Sequence, residues 1–94
     1  MSEEGYKLVQ DLTEQTIQES QYFHDFPEVI KILNVGLYLR PDGWGGKEYV
    51  INIRYEFDGI VYKMERPVYS NTKSTLIDML FDILDHYERI HKIQ

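Results

Sequence analysis

Asp58 and Gly59 separate two segments in which apolar and polar side chains alternate, KEYVINIRYEF before them and IVYKMERPVY after them. A two-residue Asp-Gly link between such segments is the strongest short-range signal for a β-hairpin, because both residues tolerate the positive φ that a tight turn requires. The turn dictates a register. Phe57 faces Ile60, Tyr55 faces Tyr62 and Ile53 faces Met64 on an apolar face, while Glu56 faces Val61, Arg54 faces Lys63 and Asn52 faces Glu65 on a wet one. Arg54 opposite Lys63 is a like-charged pair, with Glu56 and Glu65 on its diagonals to offset it. A lone hairpin is marginal in water, so its apolar face needs a third strand and a covering layer from the rest of the chain.

The segments on either side supply candidates for both. From Glu3 to about Gln21, residues Leu8, Val9, Leu12, Thr16 and Ile17 form a thin apolar stripe at helical spacing, flanked by Glu4, Asp11, Glu14, Gln15 and Gln18, and predict a first helix. Tyr22, Phe23 and Phe26 precede Pro27, which disfavours helical geometry at Phe26, so Gln21 to Pro27 reads as a connector whose aromatic rings pack back onto the core. Glu28 to Arg40 contains a conflict of phase: Ile30 and Ile32 alternate on one parity, Leu33, Val35, Leu37 and Leu39 on the other. A strand from Lys31 to Arg40 with a β-bulge near Leu33-Asn34 resolves it; the alternative is a helical turn opened by Pro27 that gives way to a strand at about Asn34. Pro41-Asp42-Gly43-Trp44-Gly45-Gly46 is dense in turn formers and links this strand to the hairpin. After Tyr69, Ser70 to Ser74 offer several N-caps. From Thr75 a second helix follows, with Leu76, Ile77, Leu80, Phe81, Ile83, Leu84, Tyr87 and Ile90 on its apolar face and Asp78, Asp82, Asp85 and Arg89 opposite. The expected fold is α+β in the order α-β-β-β-α, a three-stranded antiparallel meander with two helices packed on one face.

At 94 residues with 43% hydrophobic content, the chain is sized for a single domain, residues 1–94. It contains no cysteine, which excludes a disulfide framework and a thiol nucleophile and suits a reducing cytoplasm. The opening MSEEGYK is acidic where a secretory leader would be basic, and no apolar run reaches the roughly 18 residues of a membrane span, so a cytoplasmic protein without membrane contact is expected. The net charge of −6 is unevenly placed. Acids dominate residues 1–28 and the last helix, whereas bases slightly outnumber acids between residues 29 and 75. Acidic surfaces keep many proteins dispersed, but acidic helices beside a slightly basic sheet also favour a partner chosen by charge.

The residue types that carry chemistry are few. Gly46-Lys47-Glu48 leads into a strand and not a helix, so the glycines around Trp44 do not form a phosphate loop. Asp82 and His86, and Glu88 and His91, share helix faces; a carboxylate-bridged metal centre needs two Glu-x-x-His motifs on facing helices, and one copy is present. His24-Asp25 lacks a nucleophile motif and reads as structural. The expectation is a non-enzymatic protein without cofactor or metal. Two surfaces remain. Asp78, Asp82 and Asp85, with Glu88 one turn on and Asp11 in the acidic N-terminal segment, make a carboxylate surface for a basic protein, and Trp44, the only tryptophan, is an anchor on a loop. Arg40, Arg54 and Lys63 with Tyr38 make a basic-aromatic alternative for nucleic acid on the open sheet face, interrupted by Glu56 and Glu65. An exposed edge strand also allows a homodimer.

The order of elements is similar to that of double-stranded RNA-binding domains, but the lysine cluster which that family carries at the start of its last helix is reduced here to Lys73 between Thr72 and Ser74. In size, acidity, lack of cysteine and helix–meander–helix plan, the chain resembles the small acidic inhibitors of phages and toxin systems, including anti-CRISPR proteins that occupy nucleic-acid channels. The resemblance implies a protein that binds and blocks a larger, basic, nucleic-acid-binding partner.

Overall fold

The computed structural model describes residues 5–23 and 26–92; Glu3, Glu4, His24 and Asp25 lie outside the described residues. The fold is α+β. Its elements run β1 (Lys7–Asp11), α1 (Thr13–Gln21), β2 (Lys31–Pro41), β3 (Lys47–Phe57), β4 (Ile60–Pro67) and α2 (Thr72–His91). The strands form one antiparallel sheet in the order β1-β2-β3-β4.

The hairpin is as the turn chemistry requires. Asp58 and Gly59 both have positive φ, 58° and 75°, and β3 pairs with β4 without a shift from Phe57↔Ile60 to Val50↔Pro67. The bulge in β2 is also present: pairing with β3 slips between Ile32 and Asn34, so Leu33 is the extra residue. The slip lets Ile32 and Val35 both face inward, opposite Tyr55 and Ile53. Helix α2 starts at Thr72, three residues before the expected Thr75, because Asn71 caps it by accepting a hydrogen bond of 2.8 Å from Ser74 N.

The N-terminal expectation needs correcting. Lys7–Asp11 is a fourth strand, and the helix expected from Glu3 starts only at Thr13, so Leu8 and Val9 are exposed on a sheet edge. The meander leaves the outer backbone groups of β2 without a partner, and the turn-free segment KLVQD covers them from Lys7↔Leu39 to Asp11↔Gly36. Gly36 permits the close approach: a Cβ there would come within 2.7 Å of the Tyr38 ring and 3.1 Å of Leu8 Cδ1. Asp11 then turns the chain, accepting from Thr13 N at 2.9 Å and Thr13 Oγ1 at 2.7 Å. These two bonds hold its carboxyl below the usual carboxylate range.

Both helices cover one face of the sheet. Leu76, Met79, Leu80 and Ile83 of α2 are fully buried against Val35, Ile51, Ile53 and Phe57, and Leu12 joins them at the β1–α1 junction. Phe23 and Phe26 pack back on this core, as the connector was expected to do, whereas Tyr22 is exposed. Phe81 and Ile90, expected on the apolar face of α2, are exposed.

Candidate functional site

At the end of β4 the sheet closes with Val68 N donating to Tyr49 O at 2.9 Å, and the Asn71 cap starts α2 three residues further on. Tyr69 is left at this corner with 89% of its surface exposed. The i, i+4 spacing brings Asp78 and Asp82 to the same side of α2, with Phe81, 55% exposed, beside them. Together with Arg66 and Pro67 these residues line a groove of about 460 Å³. Phe81 is held in place from behind by Phe23, stacked at a centroid distance of 4.9 Å. Arg66 reaches up from the helix-side face of β4 to place Nη2 3.2 Å from Asp82 Oδ2. Two carboxylates and two rings therefore converge on one concavity, closed on one side by an exposed cation.

The other residues singled out from the sequence are dispersed. Asp85 continues the acidic row of α2 but pairs with Arg89, and Asp78 and Glu88 make no ion pair among the described residues. Asp11 sits at the opposite edge of the sheet, committed to its turn with Thr13. Trp44 stands 93% exposed at the tip of the β2–β3 loop, at the same end of the sheet as Tyr69, and does not cap the sheet. Its loop is ordered from within, since Trp44 N and Gly46 N both donate to Asp42 Oδ1, at 2.8 and 3.1 Å. Comparison with family models, with curated proteins and with solved structures finds no match to this chain.

The open face of the sheet carries the basic-aromatic alternative, divided in two. Arg40 is drawn into a network: Nε donates to Glu48 Oε2 at 2.9 Å, and Nη1 donates to Glu65 Oε2 at 2.9 Å and to Tyr6 Oη at 3.0 Å. Bonding to Tyr6 and then Glu48 raises the guanidinium's pKa further. Glu65 is thereby committed through Oε2 to Arg40, and Arg54 and Lys63 face each other without an ion pair among the described residues. The face also carries Asp11, Glu48, Glu56 and Glu65, which interrupt the basic residues among the described ones.

His86 and His91 close the hairpin end of the core. His86 Nδ1 and Tyr55 Oη share a hydrogen bond of 2.8 Å, with the imidazole edge-on to Tyr62 at 4.6 Å, and burial pushes the Tyr55 phenol pKa up. His91 stacks on Tyr87 and meets Asp58 Oδ2 at 2.6 Å, tying the last turn of α2 to the β3–β4 turn. Asp82, by contrast, contacts Arg66 and not His86.

Sequence reasoning found Asp78 and Asp82 but not Tyr69 and Phe81, which complete the groove. Tyr69 read as the end of a strand, and Phe81 fell within the apolar stripe of α2. Their exposure depends on where the corner turns and on how α2 is rotated over β4, which no local pattern reports.

Proposed function

We propose that the chain is a non-enzymatic binding protein that blocks a larger basic partner, engaging it through the groove between the Tyr69 corner and α2. The observation that carries this reading is the convergence of Asp78 and Asp82 with the exposed rings of Tyr69 and Phe81 in one concavity. Carboxylates flanked by aromatic faces suit a lysine or arginine side chain, which gains from ion pairing and from stacking together. Arg66 beside Asp82 is an internal example of such an occupant, exposed and only weakly held, so a partner's guanidinium can displace it. The net charge of −6 adds long-range attraction, and Trp44, at the same end of the molecule, supplies an apolar anchor that needs no charge. A larger cavity of about 760 Å³ between the end of α1 and the start of β2, lined by Ile17, Phe23, Phe26 and Ile32 among others, has Glu28 and Lys31 as its only charged groups among the described residues. In size, acidity and lack of cysteine the chain parallels the small acidic inhibitors of phages and toxin systems, although its fourth strand departs from the helix–meander–helix plan.

The test is affinity capture from the source cells, with the wild-type chain, Asp78→Asn/Asp82→Asn/Asp85→Asn, and Trp44→Ala in parallel. Basic proteins retained by the wild type, released by salt and lost with the triple variant are the expected result. Titration against single- and double-stranded DNA and RNA at low salt tests the alternative. Nucleic-acid binding tighter than about 10⁻⁶ M that is abolished by Arg54→Glu/Lys63→Glu would overturn the proposal in favour of the open sheet face.

A further inference from the structure

The two edges of the sheet are built differently. Edge strand β1 is five residues long and its pairing slips between Leu8 and Gln10, a bulge of the kind that blunts an edge. Edge strand β4 is eight residues long and pairs with β3 without interruption. Hydrogen bonding alternates along an antiparallel pair, and the bond from Val68 N to Tyr49 O sets its phase. By that alternation Ile60, Tyr62, Met64 and Arg66 turn their backbone groups toward β3, while Val61, Lys63 and Glu65 turn theirs outward, where no described strand meets them.

From this we propose that β4 pairs antiparallel with β4 of a second copy of this chain, about a two-fold axis at Met64 and normal to the sheet. The charges select that axis. With Met64 opposite Met64 of the second copy, Lys63 falls opposite Glu65 of the second copy, and Glu65 opposite its Lys63, on the open face. On the helix side Tyr62 falls opposite Arg66 of the second copy. Moving the axis to Lys63 or to Glu65 sets a like charge against itself, and moving it to Tyr62 sets Lys63 against Val61. The Met64 axis is also the one that matches the backbone, because Lys63 and Glu65 both present outward N–H and C=O groups and form the hydrogen-bonded pair.

Two features unexplained in the single chain are accounted for by this pairing. Lys63 stands against Arg54 with no ion pair among the described residues, and Glu65 of the second copy supplies the missing carboxylate. Glu65 gives only Oε2 to Arg40 and Tyr6, which leaves Oε1 for the second copy's lysine. Val61, exposed at the strand's outer end, comes opposite Pro67 of the second copy. The inference does not rest on the proposed partner, although Arg66 and Pro67, at the end of the paired segment, also line the α2 groove.

The experiment is sedimentation equilibrium of the full chain, from micromolar to millimolar concentration. Wild type is expected to reach twice the single-chain mass. Lys63→Glu sets two carboxylates against each other across the axis while giving Arg54 an opposite charge within the chain, so it should weaken dimerisation at least tenfold with the fold intact by circular dichroism. Combining it with Glu65→Lys reverses both charges and should restore the dimer. Because the chain has no cysteine, Met64→Cys provides an independent readout. Opposed at a non-hydrogen-bonded site, two such residues lie within disulfide range and should crosslink rapidly under mild oxidation, whereas Glu56→Cys should not. A wild type that stays monomeric throughout the range, a dimer indifferent to Lys63→Glu, or folded Met64→Cys protein that does not crosslink would each overturn the proposal. Should the doubly exchanged variant fail to fold, the crosslink decides.

Discussion

Helices α1 and α2 lie on the same sheet face but bury unlike side chains. Helix α2 has 20 residues and inserts Leu76, Met79, Leu80 and Ile83, all fully buried, over β3 and β4. Helix α1 has nine, and its buried residues are Thr16 and Ser20. Ser20 satisfies its hydroxyl on the Ile17 carbonyl at 2.7 Å, but Thr16 Oγ1 is buried with no hydrogen-bond partner among the described residues. Their ends differ too: Asn71 caps α2 through its side chain, while Leu12 at the N-cap of α1 makes no side-chain cap, and α1 is held by the Asp11–Thr13 turn and by Val35 N donating to Thr13 Oγ1 at 2.9 Å. One helix is thus fastened by apolar area and the other by polar joints to a neighbouring strand.

That difference can be broken most sharply in α2. Ile83→Ala removes fully buried methyl groups from the centre of the core and should cost about 2 to 5 kcal/mol, read as a fall in the denaturant midpoint. Next in size, Asn71→Ala removes the cap and leaves Ser74 N unpaired, for a loss of about 1 kcal/mol. In α1 the sign reverses. Thr16→Val keeps the shape and removes an unpartnered buried hydroxyl, so it should raise stability by up to about 1 kcal/mol, a shift of about 4 to 8 °C in Tm for a domain of this size. A destabilised Thr16→Val protein would show that the hydroxyl is bonded in solution and that α1 is less apolar in its attachment than described.

The smallest expected effect is a pH dependence confined to α1. The Asp11 carboxyl is depressed below its ordinary value of 3.8 by its bonds to Thr13, so folding favours its charged form. Its contribution is therefore present above the unfolded value and is lost as pH falls through the lower folded one. Amide exchange at Thr13 and Thr16 should quicken in that acid range ahead of α2, and Asp11→Asn should remove the difference. Equal loss in both helices would place the acid sensitivity elsewhere.

How much of this was legible follows from the range over which each feature is encoded. The β3–β4 register rests on two adjacent turn residues, and the Leu33 bulge on a change of parity within one strand. The body of α2 rests on apolar spacing within a few turns. Each is a short-range constraint, and each reads correctly from the chain. The Leu8–Val9–Leu12–Thr16 stripe was misread because helical spacing over few apolar residues is a weak constraint. Lys7–Asp11 met a stronger one in the unpaired edge of β2, to which Lys7 pairs at Leu39, far along the chain. Half of the candidate site was visible for the same reason and half was not. Spacing on one helix set Asp78 and Asp82 together, but only packing decided that Phe81 faces outward beside Tyr69, that Arg66 reaches Asp82, and that Glu65 accepts from Arg40. The amino-acid sequence by itself determined the β3–β4 turn, the β2 bulge and the body of α2, whose energies depend on neighbours a few residues apart. Tertiary structure alone decided the fourth strand and the groove, because their energies arise between segments that meet only once the core has closed.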